Sequence, residues 1–128
     1  MLTQDIIQIA RKARRWAMKN RVNKGFPDCL CGMCAIASAR LHTLLKNDGI
    51  ESVLAVNDKH CFVISNGCIL DVTATQFGRK PITIIEKESA KDYYWEVLET
   101  FDYVGDLARY QKKQRWPRNQ VAFVKESN

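Results

Sequence analysis

The chain predicts an α+β domain in which helices come first and an antiparallel β-sheet follows, and three features carry that prediction. Apolar residues recur at helical spacing up to residue 46. Past Gly49 the period falls to two, with β-branched residues gathering in short runs. Asn66-Gly67 then separates two such runs, the strongest short hairpin signal a sequence can hold.

The first helix is expected over 3–20, with Thr3 as its cap and Ile6, Ile9 or Ala10, Ala13 and Ala17 on one stripe. A loop follows, NRVNKGFPDCLCG, broken by Gly25, Pro27 and Gly32. A second helix is expected from 34 to 46, with Ala37, Leu41, Leu44 and Leu45 as its apolar stripe and NDG at 47–49 as its stop. ESVLAV, HCFVIS, CILDVT and ITIIE read as strands. YYWEVLETF reads as strand or helix, DLARYQKKQRW leans helical, and QVAFV reads as a closing strand. There is no internal repeat and no low-complexity linker, so residues 1–128 are expected to form a single domain.

Two-residue hairpin geometry sets a register. With Asn66 and Gly67 as the loop, Ser65 faces Cys68, Val63 faces Leu70, Phe62 faces Asp71 and His60 faces Thr73. His60, Phe62, Asp71 and Thr73 then share one face, and Cys61, Val63, Leu70 and Val72 share the other. His60 and Asp71 become diagonal neighbours, with Cα atoms about 7–8 Å apart, within reach of a carboxylate–imidazole contact.

The chemistry turns on CLCGMC at 29–34, three cysteines in six positions. All five cysteines make an odd set, and with no secretory signal core at the start the expectation is a cytoplasmic chain with reduced thiols. A thiol attacks as thiolate, and its pKa falls at a helix start and beside an imidazolium. Cys34 follows Gly32-Met33 at such a start, and its own N–H is free to donate to an oxyanion. His60 can take the thiol proton and return it to a leaving amine, while Asp71 holds the imidazole.

This order of residues resembles the transglutaminase-like branch of the papain-like cysteine enzymes. GMCAIASARLHTLLKNDGI, then His60, then CILDVTATQFG carry the likeness, with Gly32, Cys34, Gly49, His60, Asp71 and Thr73 matching in order and spacing over roughly residues 30–78. Phe62 stands where the branch usually has tryptophan. The resemblance implies a papain-like fold, with the catalytic helix packed on an antiparallel sheet. It implies acyl transfer through a thioester by Cys34, His60 and Asp71, with no cofactor and a protein as substrate. Members hydrolyse peptide bonds, deamidate glutamine, cross-link glutamine to amines or move acetyl groups. A compact basic chain is more like a protease or a glutamine deamidase.

Plainer readings stand beside these. Cys34 alone is a small buried apolar residue of a helix. Cys29 or Cys31 is an alternative nucleophile, and CLCGMC with Cys61, Cys68 or His60 is a zinc site in outline, although a single residue between the first two cysteines is poor tetrahedral spacing. Asp71 has a structural reading as a carboxylate paired with backbone or Thr73. Gln76 is a candidate partner of Asp71, a cleft residue or a turn cap. His42 is expected to be exposed, Trp16, Trp95 and Trp116 to lie in the core or at a groove edge, and RWPR at 115–118 to form a surface turn. Net charge is +6, bunched in RKARRWAMKNRVNK and QKKQRWPR. The favoured reading is a solvated basic face, with an acidic partner as the alternative; nucleic acid is disfavoured because aromatics do not alternate with the cations, and no apolar run is long enough for a membrane span.

Overall fold

The computed structural model describes residues 4–21, 30 and 32–123. The expected Thr3 cap, the breakers Gly25 and Pro27, and Cys29 and Cys31 lie outside them. The elements are α1 (Gln4–Lys19), α2 (Cys34–Asn47), β1 (Val53–Val56), β2 (Cys61–Ser65), β3 (Cys68–Asp71), β4 (Thr83–Glu86), β5 (Glu99–Phe101) and α3 (Val104–Lys113), with short 3₁₀ turns between several of them. The strands form one antiparallel sheet in the order β4-β3-β2-β1-β5. The class is therefore α+β, as expected.

The hairpin sets the site. Asn66 and Gly67 both have positive φ, 53° and 74°, the backbone a type I′ turn needs, which glycine and asparagine reach at low cost. Ser65 pairs with Cys68 and Val63 with Leu70, the register expected from the sequence. The helix-side core takes Leu54, Val56, Cys61, Val63, Leu70 and Val72. The opposite face takes Ala55, Phe62 and Ile69 under Tyr94 and Trp95.

On the helix side, α2 lies between α1 and the sheet. That explains why its burial is wider than one stripe: Cys34 through Ala39, Leu41, His42 and Leu45 are all buried. On α1 the buried positions include Ala10, Ala13 and Ala17, small residues that let the two helices approach closely.

Two expectations are corrected. Residues 120–123 form no strand: Arg118–Gln120 is a 3₁₀ turn, and the Gln111 amide takes the role a neighbouring strand would have, donating to the Gln120 carbonyl and accepting from the Ala122 N–H. Exposure of His42 is also wrong; it is 3% exposed. Its Nε2–H donates to the Asp102 carbonyl at 2.7 Å and its Nδ1 accepts from the Ser52 hydroxyl at 2.7 Å, because β5 joins the sheet beside β1 and brings Asp102 over the helix. Burial lowers its pKa, which keeps the ring in the neutral form those two bonds require. The ambiguous YYWEVLETF divides into a 3₁₀ turn, Tyr93–Trp95, and the edge strand β5.

Candidate active site

Three elements bring the predicted residues together. Gly32, at φ 82°, turns the chain into α2, and Met33 is its buried N-cap residue, with its N–H bonded to the Leu30 carbonyl. Cys34 is therefore the first residue of α2, where backbone N–H groups lack helical acceptors. No acidic residue occupies that first turn to compete for its positive end. His60 immediately precedes β2, and Asp71 ends β3.

The imidazole Nε2–H of His60 donates to Asp71 Oδ2 at 2.7 Å, with both side chains 1% exposed. The diagonal pairing predicted from the hairpin is thus present. Asp71 also accepts from the indole Nε1–H of Trp95 at 2.8 Å, from the Thr73 N–H at 2.9 Å and from the Thr73 hydroxyl at 3.2 Å. Burial opposes its charge, but the His60 hydrogen bond and charge, then Trp95 and Thr73, hold its pKa below the usual carboxylate range.

The other imidazole nitrogen, Nδ1, is buried and makes no hydrogen bond of ordinary geometry. The group that bears on this ring from the helix side is Cys34. Cys34 and His60 each favour the charged form of the other. The neighbouring Cys61, then His60, outweigh burial and bring the Cys34 pKa to about 5. Burial works against the His60 charge, but Asp71 and then Cys34 outweigh it and raise its pKa to about 9. Cys61 is the protonated partner, pushed well up by burial and by its neighbour's negative charge. The arrangement favours a thiolate at Cys34 facing an imidazolium at His60.

An aromatic wall fixes the imidazole. Phe62 stacks on it at 5.9 Å, and Phe77 and Tyr94 meet it edge-on at 4.8 and 6.5 Å. Gln76 turns away from Asp71: its amide donates to the Thr73 carbonyl at 3.1 Å and caps its own turn. Cys68, Cys61 and Cys34 are free thiols. Among the described residues no three His, Cys, Asp or Glu side chains gather as a metal site; the rival zinc loop depends on Cys29 and Cys31, outside them.

Sequence reasoning missed three supports. Cys61 was read as a core residue remote from His60, yet the face it occupies is the one against which α2 starts. Trp95 was read as core or groove edge, and it donates directly to Asp71; the Arg79 guanidinium covers its ring at 5.0 Å and bonds the Tyr94 hydroxyl. Asn57 joins the two halves of the site, accepting from the Lys59 and His60 N–H groups and donating to the Tyr94 and Glu96 carbonyls at 2.9 Å each. The NDKH stretch carries a signal for this, since asparagine often caps its own following backbone.

Trp95→Phe keeps the ring but deletes the donor. It is expected to lower stability by about 1–2 kcal/mol, the usual loss for an unmade hydrogen bond to a buried acceptor, read by urea titration of the two proteins.

A cleft of about 280 Å³ is lined by Asp58, Lys59, Gln114, Arg115, Trp116, Pro117 and Gln120. RWPR therefore forms a turn, with Arg115 at φ 62°, and also borders the residues leading into His60. A larger cleft, of about 760 Å³, lies instead against the basic face of α1.

Compared with known proteins, the chain matches no family model, no curated protein and no solved structure. No helix among the described residues is long and apolar enough to cross a membrane.

Proposed function

We propose that this chain is a thiol hydrolase of transglutaminase-like, papain-like architecture that acts on amides of a protein substrate through a Cys34 thioester. Either a peptide bond or a glutamine side chain suits it. The observation that carries the reading is the buried His60 imidazole, bonded to Asp71 through Nε2 and left open at Nδ1 toward a helix-start cysteine of lowered pKa.

In this reading the Cys34 thiolate attacks the amide carbon, forming the C–S bond as the carbonyl electrons move onto oxygen. The N–H groups of the first turn of α2, including that of Cys34, receive the oxyanion. Collapse breaks the C–N bond, and the leaving nitrogen takes the Nδ1 proton of His60 and departs as an amine or ammonia. Neutral His60 then accepts a proton from water. The hydroxide adds to the thioester, and the thiolate leaves with the carboxylic acid as product. Asp71 stays ionised throughout and holds the ring.

The pH dependence follows from the two perturbed groups. Below about 5 the Cys34 thiolate is protonated, and above about 9 His60 loses its proton. The ion pair is populated between those limits, which predicts a broad bell-shaped profile of kcat/KM.

The test is brief iodoacetamide treatment from about pH 4 to pH 9 with a mass readout. The small reagent matters, because Cys34 is only 5% exposed. Cys34 is expected to react first, with its rate half-maximal near the lowered pKa. In His60→Ala the midpoint moves up toward the free-thiol value of about 8.5. An inert Cys34, or all cysteines reacting alike, overturns the reading.

A further inference from the structure

The basic run at the start of the chain is exposed along α1, as expected, and it also borders a cleft. Arg11, Arg14, Arg15, Lys19 and Arg21, with Trp16, Met18 and Ile82, line the cleft of about 760 Å³. Arg11, Arg15 and Lys19 are exposed and spaced by four residues, a row about 12 Å long on one helix. None of the three pairs with a described carboxylate. Arg21 keeps its Nε buried without a hydrogen-bond partner. Arg14, 9% exposed, bonds the Val72 carbonyl at 2.8 Å and the Pro81 carbonyl at 3.3 Å, so the cleft adjoins the segment that leaves Asp71.

We infer that this cleft binds an acidic peptide segment. Guanidinium groups at helical spacing match carboxylates, which they can bind through two N–H groups at once. Met18 and Ile82 supply apolar contact for the aliphatic parts of a peptide. A nucleic acid fits less well. Among the described residues Trp16 is the one aromatic in the lining, and its ring already carries the Arg40 guanidinium at 5.1 Å, so it does not serve as a free stacking platform. Only the view that the peptide belongs to the substrate rests on the hydrolase reading; the binding itself does not.

The experiment uses the full chain carrying Cys34→Ala, so that no turnover is required. Its probe is a fluorescein-labelled peptide of about twelve residues rich in Glu and Asp, read by anisotropy. A neutral peptide of equal length and a single-stranded oligonucleotide serve as competitors. The acidic peptide is expected to bind, more weakly as salt rises, and the exposed-site variant Arg11→Glu/Arg15→Glu/Lys19→Glu to bind at least about tenfold more weakly. Equal binding of acidic and neutral peptides, or unchanged binding by the triple variant, overturns the inference. Tighter binding of the oligonucleotide also overturns it and makes the cleft a nucleic-acid site. Acidic-peptide binding by a protein whose Cys34 proves inert to iodoacetamide would leave the docking site standing and remove the hydrolase.

Discussion

His60→Ala is expected to reduce amide turnover by roughly 10²–10⁴-fold, the usual contribution of a positioned general acid–base group. Two losses are involved, and they are separable. Without the imidazolium, Cys34 loses one of the interactions that lower its pKa, so less thiolate is present at neutral pH. Without Nδ1–H, no group protonates the departing nitrogen. A nitrophenyl ester needs only the first, because its leaving group departs as an anion; an amide needs both. Raising the pH to about 9 is therefore expected to restore much of the variant's acylation by the ester, read as a mass increment on Cys34, while amide hydrolysis stays low. Equal recovery of the two substrates would remove His60 from the acid step and leave it only as a partner of the thiolate.

The residues that make this experiment possible were legible because each depends on a short-range rule. A helix start after Gly32 locates Cys34. Asn66-Gly67 forces positive φ at two positions, the register follows, and a period of two places His60 diagonal to Asp71. The supports were harder to see because they depend on long-range packing. Trp95 reaches Asp71 from a segment whose period is ambiguous, since Tyr93–Trp95 is a 3₁₀ turn held by the Asn57 amide. The alternation of β2 correctly turned Cys61 to the helix side, but nothing in a strand's period says where along that face a helix will begin. His42 looked exposed from its neighbours, and its burial comes from β5, a strand nearly 60 residues further on. The cations of α1 read as a solvated face because no aromatics alternate with them; the cleft beside them also takes Ile82, from the segment that Arg14 bonds at Pro81, which no helical period reveals.

Asp71→Asn is expected to cost stability even though it preserves shape, and the donors around the carboxylate explain why. His60 Nε2, Trp95 Nε1, the Thr73 N–H and the Thr73 hydroxyl all donate to its two oxygens. An asparagine offers one oxygen and an NH₂ group, so donors meet donors on one side, in a site 1% exposed. Breaking a buried pair in this way costs roughly 3–5 kcal/mol. The charge of the pair also gives the loss a pH signature. Asp71 has a lowered folded pKa, so its contribution is fully present above the unfolded value of about 3.9 and fades as pH falls below it. His60 has a raised folded pKa, about 9, so its contribution is fully present below the unfolded value of about 6.5 and fades as pH rises from there toward 9. Urea titrations of wild type and variant should therefore differ most between about pH 4 and 6.5, with the gap narrowing on both sides. A gap that stays constant from about pH 5 to 9 would mean that His60 carries no extra proton in the folded state. The stabilisation would then come from hydrogen bonding alone, and the imidazolium that the proposed chemistry needs would be missing.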